Sequence, residues 1–330
     1  ITDASAGNTT SINGVTPNSS NVVGKNKIIN GNFDFWQRGT TESYSVISSK
    51  YLSDRWQMRT TATANVTTSR QSFTVGQTDV PNNPKYFYRW DITSHTAGSG
   101  ILEQRIEDVS TFAGNTCTLS FWAKCNSSQT MSTTYQQIFG TGGSAEVTST
   151  GLSCSLTTSW QKFTHTVTLP SISGKTIAGG NDYLNIRFNM PNAVCTVDIA
   201  QVQIEAGSAA TEFEHRPYGI ELQLCQRYYF RTASIASYPT VAIGYLNTST
   251  QANFSFQFPV EMRASPSSSY SGCRIRYQGG SGTISGIAST FASSSHAELG
   301  ITTSSIPTGY PVGLQINGNA TNFVAFSAEL

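Results

Sequence analysis

From Thr116 to Cys125 the chain alternates without a break. Cys117, Leu119, Phe121, Ala123 and Cys125 fall on one face, with Thr118, Ser120, Trp122 and Lys124 on the other. A period of two is the signature of a strand with one face in a core, and a helix cannot satisfy it. The pattern returns at Phe163, His165, Val167 and Leu169, stopped by Pro170. It returns again at Leu184, Ile186, Phe188 and Met190, opposite Asn185, Arg187 and Asn189. Cys195, Val197 and Ile199 keep one phase, whereas Val202 and Ile204 keep the other, so a β-bulge is expected near Ala200 and Gln201. Many short strands separated by Gly, Ser and Asn turns predict an all-β sandwich or jelly roll.

Composition narrows the classes further. Charged residues are 12% of the 330, with 20 Lys and Arg against 19 Asp and Glu, and no lysine follows Lys175. Clustered cations for phosphate are missing, so nucleic acid is not expected as a partner. Ser and Thr number 86 and aromatics 36, which excludes both a helical bundle and a disordered tail. There is no apolar run long enough for a membrane helix, and the N-terminus lacks signal-peptide order. It also lacks Met, so a fragment or processed product is expected. The six cysteines form no C-x-x-C pair and read as free, mostly buried thiols.

Three segments follow. Residues 1–26 are rich in Asn, Ser, Thr and Gly and read as an extended stalk or linker, with Ile12–Val15 as a hairpin signal. Residues 27–214 read as the jelly roll. Residues 215–330 read as a smaller β-rich tip, opened by a short helix over Ile220–Tyr229, where Leu224/Tyr228 and Leu222/Cys225 repeat at helical spacing. Between Tyr277 and Ala328 the only formal charge is Glu298, which predicts burial between subunits or a neutral partner.

Lys27–Thr40 (KIINGNFDFWQRGT) resembles the opening of phage tail-fibre receptor-binding regions. The order then continues through a strand carrying Asp54-Arg55-Trp56, a strand over Leu119–Lys124 and another over Thr158–Trp160. Val197–Gly207, Cys225–Tyr229, Phe258–Arg263 and Ala328–Leu330 complete it. Residues 27–214 also resemble the jelly rolls of carbohydrate-binding modules. The resemblance implies a homotrimeric fibre of the virion, assembled in a bacterial cytoplasm, joined upstream to other tail proteins. Its expected role is adhesion to host surface polysaccharide or lipopolysaccharide, without membrane insertion. A secreted bacterial carbohydrate-binding or adhesin module and a polysaccharide depolymerase are the alternatives. The resemblance further implies a structural calcium ion held by Asp34 and Asp198, with Asn32 as an added ligand. The competing reading has Asp34 bonding a turn and Asp198 facing solvent.

Sugar sites combine aromatic platforms with hydrogen-bonding side chains, because pyranose faces are apolar and their rims hydroxylated. Trp122, Trp160, Trp36 and Trp56 read as core. Trp90, with Tyr88 beside it, is the best-placed platform, against the competing reading that it packs. In the tip, Tyr270, Tyr277 and Tyr310, with Asn317 and Asn319, are expected to form the recognition loops. Catalysis finds little footing. Glu103 and Glu107 share a face among Gln and Arg and read as solvated surface, the four histidines have no metal spacing, and no Gly-x-Ser-x-Gly occurs.

Overall fold

The computed structural model describes residues 24–45, 48–60, 64–95, 100–233, 238–319 and 321–330. The stalk through residue 23, with its hairpin signal, lies outside them. The chain divides between Tyr218 and Gly219 into two compact units, and Leu330 groups with the first.

The first unit is a jelly-roll sandwich of two six-stranded antiparallel sheets. One sheet runs β1 (Thr41–Tyr44), β4 (Ala64–Ser72), β5 (Tyr86–His95), β12 (Cys195–Ala206), β7 (Thr116–Cys125) and β10 (Gln161–Thr168). The other runs β2 (Ser48–Tyr51), β3 (Gln57–Thr60), β6 (Gly100–Glu107), β11 (Tyr183–Asn189), β8 (Gln129–Ile138) and β9 (Val147–Leu156). The alternating apolar positions meet between them: Leu119, Phe121, Leu184, Ile186 and Phe188 are buried in one cluster with Trp56 and Trp90. β7 has the bounds its alternation predicts. The predicted bulge is present, with register slipping between Ala200 and Gln203 and Gln201 at φ 47°.

The opening motif is a structural knot. The buried Asn30 carboxamide donates to the carbonyls of Phe35 and Asp54 and accepts from the Phe35 amide. Gly31 is required by close approach, since a Cβ there would lie 2.1 Å from the Val202 carbonyl beside the bulge. Asp54-Arg55-Trp56 is a buried turn before β3 and not a strand: the Trp56 amide bonds Ser53 and Arg55 takes φ 71°. Thr158–Trp160 is likewise the turn between β9 and β10.

The helix α1 (Tyr218–Gln226) starts two residues earlier and stops three earlier than its periodicity suggested, because Tyr229 already pairs with Ser327 in a sheet. That three-stranded sheet has the order β13 (Tyr229–Ala233), β21 (Phe323–Ser327), β16 (Ser267–Ser271). Beside it in the second unit, a closed barrel runs β14 (Thr240–Thr248), β15 (Gln251–Gln257), β19 (His296–Thr303), β18 (Gly280–Ala292), β17 (Cys273–Tyr277) and β20 (Val312–Ile316). Closure leaves the barrel no sheet edge. Phe254, Phe256, Leu299, Leu314 and Phe326 share its core cluster. None of the six cysteines is in a disulfide. Among the described residues, no helix is long and apolar enough to cross a membrane.

Candidate functional site

The face of the β2–β9 sheet turned away from the core is built from long polar side chains. Register places Tyr51, Gln57, Glu103, Arg187, Thr134 and Thr150 opposite one another across all six strands. At ~4.8 Å per strand this row is about 24 Å long. The neighbouring row is Arg105, Asn185, Gln136 and Thr148. Both rows follow from the alternation that sends Leu102, Ile106, Leu184, Ile186 and Phe188 inward.

At the centre Glu103 is fully buried. Its Oε1 accepts from Arg105 Nη2 at 3.1 Å, and its Oε2 accepts from Asn185 Nδ2 at 3.1 Å. Arg187 Nε lies 3.3 Å and Arg59 Nη1 3.7 Å from Oε2. The solvated Glu103 expected from sequence is therefore corrected: three arginines, from β3, β6 and β11, close over one carboxylate. They remain reachable, with side chains 40% (Arg59), 18% (Arg105) and 17% (Arg187) exposed. Arg105 also donates to the Gln57 amide oxygen and stacks 5.0 Å from the Tyr183 ring centroid. Tyr51 Oη and Arg105 both donate to the Leu330 carbonyl. The face thus offers fixed donors, amides and two tyrosine rings on a sheet.

The residues singled out from sequence fare differently. Trp90 is 0% and Tyr88 1% exposed. Neither is a platform, because β5 lies inside its sheet between β4 and β12, and both side chains point to the core. Gly100 presses on the ring so closely that a Cβ there would sit 1.9 Å from Trp90 Cζ2. Trp36 and Trp56 are core, as expected. Trp122 and Trp160 are instead half-buried. Trp122 sits at an even position of β7, opposite the core phase, and Trp160 packs 5.3 Å from Phe73 and 5.4 Å from Phe87, under Lys124.

Asp198 does not fit a calcium ligand. Arg89 takes both of its oxygens, at 2.7 and 2.8 Å, with Lys124 at 3.8 Å, and the pair holds the Arg89 guanidinium above its ordinary pKa. Nor does Asp198 face solvent, at 2% exposed. Asp34 accepts from Asn32 Nδ2 at 3.0 Å, and burial pushes its carboxyl above the usual range. Among the described residues no group of three His, Cys, Asp or Glu is placed to hold a metal.

The five tip residues do not converge. Arg276 pairs with Gly313 and Cys273 with Ile316, so Tyr277 and the half-exposed Tyr310 lie toward one end of the β17–β20 pair. Asn317 and Asn319 lie beyond the other end, where Asn317 bonds Gly272 and the Asn319 side chain caps Thr321. Tyr270 is on β16 and, like Tyr277, packs partly against the barrel core. One polar ladder went unread in the sequence: Asn247 donates to Asn253, which donates to Glu298 at 2.6 Å.

No family model and no curated protein matches the chain. Solved structures do. The enzymatically active domain of bacteriophage CBA120 tailspike protein 4 is 16% identical, over 56% of this chain and 22% of that one, with a TM-score of 0.35. This chain therefore spans about a fifth of that domain's length. The CBM22-1 xylan-binding domain of Paenibacillus barcinonensis Xyn10C is 12% identical over 51% of this chain and 99% of that one, with a TM-score of 0.34. The C-terminal family 22 carbohydrate binding module of Clostridium thermocellum Xyn10B is 14% identical, over 48% and 89%, with a TM-score of 0.33.

Proposed function

We propose that the chain is a non-catalytic adhesin of a phage tail fibre, which attaches the virion to a glycan of the bacterial surface. The observation that carries this reading is the outer face of the β2–β9 sheet. Arg59, Arg105 and Arg187, fixed around Glu103 among Asn185, Gln136 and Gln57, form a pre-set row of hydrogen-bond donors, and Tyr51 and Tyr183 add ring surface. Side chains already held in place lose little freedom when a ligand binds. The order of motifs from Lys27 to Leu330 supports the tail-fibre assignment.

Glu103 is a poor catalytic group, since both oxygens already accept from Arg105 and Asn185. Glu107, four residues along the strand, is about 13 Å away by strand rise, beyond the ~5–9.5 Å that separates paired glycosidase carboxyls. Assembly as a trimer is supported by apolar side chains turned outward on two opposite sides of the barrel: Ile243 and Tyr245 on β14 are 77% and 56% exposed, and Phe291 on β18, three strands away in either direction, is 55% exposed. Between Tyr277 and Ala328 the one formal charge is Glu298, opposite Phe291. Three weak sites on one fibre then act by avidity.

The test is binding of the purified chain to arrays of bacterial surface polysaccharide. Arg187→Ala and Arg105→Ala, folded by melting temperature, are expected to lose binding while Tyr310→Ala keeps it. Undiminished binding by both arginine variants overturns the site, and release of reducing ends from the polysaccharide overturns the non-catalytic assignment.

A further inference from the structure

The bulge in β12 builds a cavity on the outer face of the other sheet of the first unit. It measures about 180 Å³ and is lined by Trp122, Lys162, Gln201, Asn82, Glu212 and Phe213, with Ser120 and Pro81 at its walls. Ala200 pairs with Trp122 and Gln203 with Ser120, so the extra residue turns Gln201 out of the ladder and across to the β4–β5 loop. There its Nε2 donates to the Pro81 carbonyl at 2.9 Å. Two lining residues hold left-handed backbone without being glycine: Asn82 at φ 63° and Gln201 at φ 47°. Such strain persists only where the surroundings impose it, and it concentrates at ligand sites. Bulges likewise serve to re-aim a side chain.

The lining groups are uncommitted. Among the described residues, Trp122 makes no ring or cation contact and its Nε1 donates to nothing. Among the described residues the side chains of Asn82, Lys162 and Glu212 likewise have no partner, and neither does the Gln201 amide oxygen, although Gln201 is 3% exposed. The rest of this sheet's outer face behaves differently: Arg89, Asp198 and Lys124 pair with one another, and Gln203 and Glu205 are bonded to Thr211.

We propose that this cavity binds one neutral hexose-sized sugar ring. At ~30 Å³ per water it holds about six waters, enough for a single six-membered ring. An indole face receives the apolar C–H side of a pyranose. The ring's hydroxyls need donors and acceptors together, which Lys162, Asn82, Gln201 and Glu212 supply with no net charge. The site lies on a different sheet from the arginine row and rests on none of its residues.

The experiment is saturation-transfer NMR of the whole chain with glucose, galactose and N-acetylglucosamine at millimolar concentration. Transfer to at least one of them is expected. It is measured in an Arg187→Ala chain, so that the arginine row does not contribute. Adding Trp122→Ala should abolish it. Adding Lys162→Ala instead, at an exposed and unpaired position, should weaken it about tenfold with an unchanged melting temperature, so the proposal does not depend on the tryptophan variant folding. No transfer to any of the three sugars in the Arg187→Ala chain, or transfer there that survives Trp122→Ala or is unweakened by Lys162→Ala, overturns the proposal.

Discussion

Glu103→Gln is expected to lower the stability of the first unit by ~2–3 kcal/mol. Removing one partner of a buried ion pair costs ~3–5 kcal/mol, because the other charge is left uncompensated. Here Arg105 and Arg187 are mostly buried, whereas Arg59 is 40% exposed and contributes only as a surface pair, which trims the figure. Glutamine keeps the shape but turns an amide N–H₂ toward donors, so either the Asn185 or the Arg105 contact loses its acceptor. For a unit of this size the shift in melting temperature is about 5–10 °C. The assay is denaturant unfolding followed by tryptophan fluorescence. All five tryptophans lie between Trp36 and Trp160, so the signal reports the first unit alone and avoids mixing two transitions. Pairing Glu103→Gln with Arg187→Gln in a double-mutant cycle isolates their coupling. A loss below ~0.5 kcal/mol, the value of an exposed pair, would refute the reasoning and return Glu103 to solvent.

Chelation should leave the melting temperature unchanged, while Asp198→Ala lowers stability by ~1–2 kcal/mol without any metal, by stranding Arg89 and Lys124; a chelator-dependent melt would restore the calcium reading. Asp34→Asn tests the raised carboxyl. Its folded pKa lies above the unfolded one because burial dominates, so its contribution is fully present below the unfolded value of 3.8 and is lost as pH rises through the folded pKa. The variant should therefore gain on wild type between pH 3 and pH 7, as read by thermal melts, and a constant difference across that range would contradict the assignment. Trp90→Phe should cost ~1–3 kcal/mol through a misfilled core yet leave glycan binding per folded molecule intact, and loss of binding at unchanged stability would make Trp90 a ligand residue after all.

What could be read from the sequence was what local periodicity encodes. β7 came with its ends, β11 with its inward Leu184, Ile186 and Phe188, and the bulge came from a one-residue phase slip between Ile199 and Val202. What could not be read depends on which strands become neighbours. Trp90 looked available because four of the five residues from Tyr86 to Trp90 are aromatic, and nothing local shows that Gly100 will close over its ring. Glu103 looked solvated because its partners are Arg59 and Arg187, 44 residues before it and 84 after. A signal existed: Gln57 and Arg59, Glu103 and Arg105, Asn185 and Arg187 all occupy the outward phase of their strands. Reading it required the order β3-β6-β11, which no local pattern supplies.

The low charge content now acquires a physical sense. In a chain with only 39 formally charged residues, four meet on one sheet face and three more, Arg89, Lys124 and Asp198, on the other. Placing charge where it is buried costs desolvation, which excess arginine over carboxylate does not repay by itself. The arrangement is intelligible if rigidity is the return: a guanidinium pinned on one edge by Glu103 still presents its other edge in a fixed direction, and five donors in a planar fork suit the paired hydroxyls or carboxylate of a sugar. Flexible lysines would lose more entropy on each contact, and the absence of lysine beyond Lys175 leaves arginine as the only cation of β11 and of the whole second unit. On the adhesin reading proposed above, single contacts of this kind are weak, and avidity from their number within a face and across copies of the chain would supply the attachment strength.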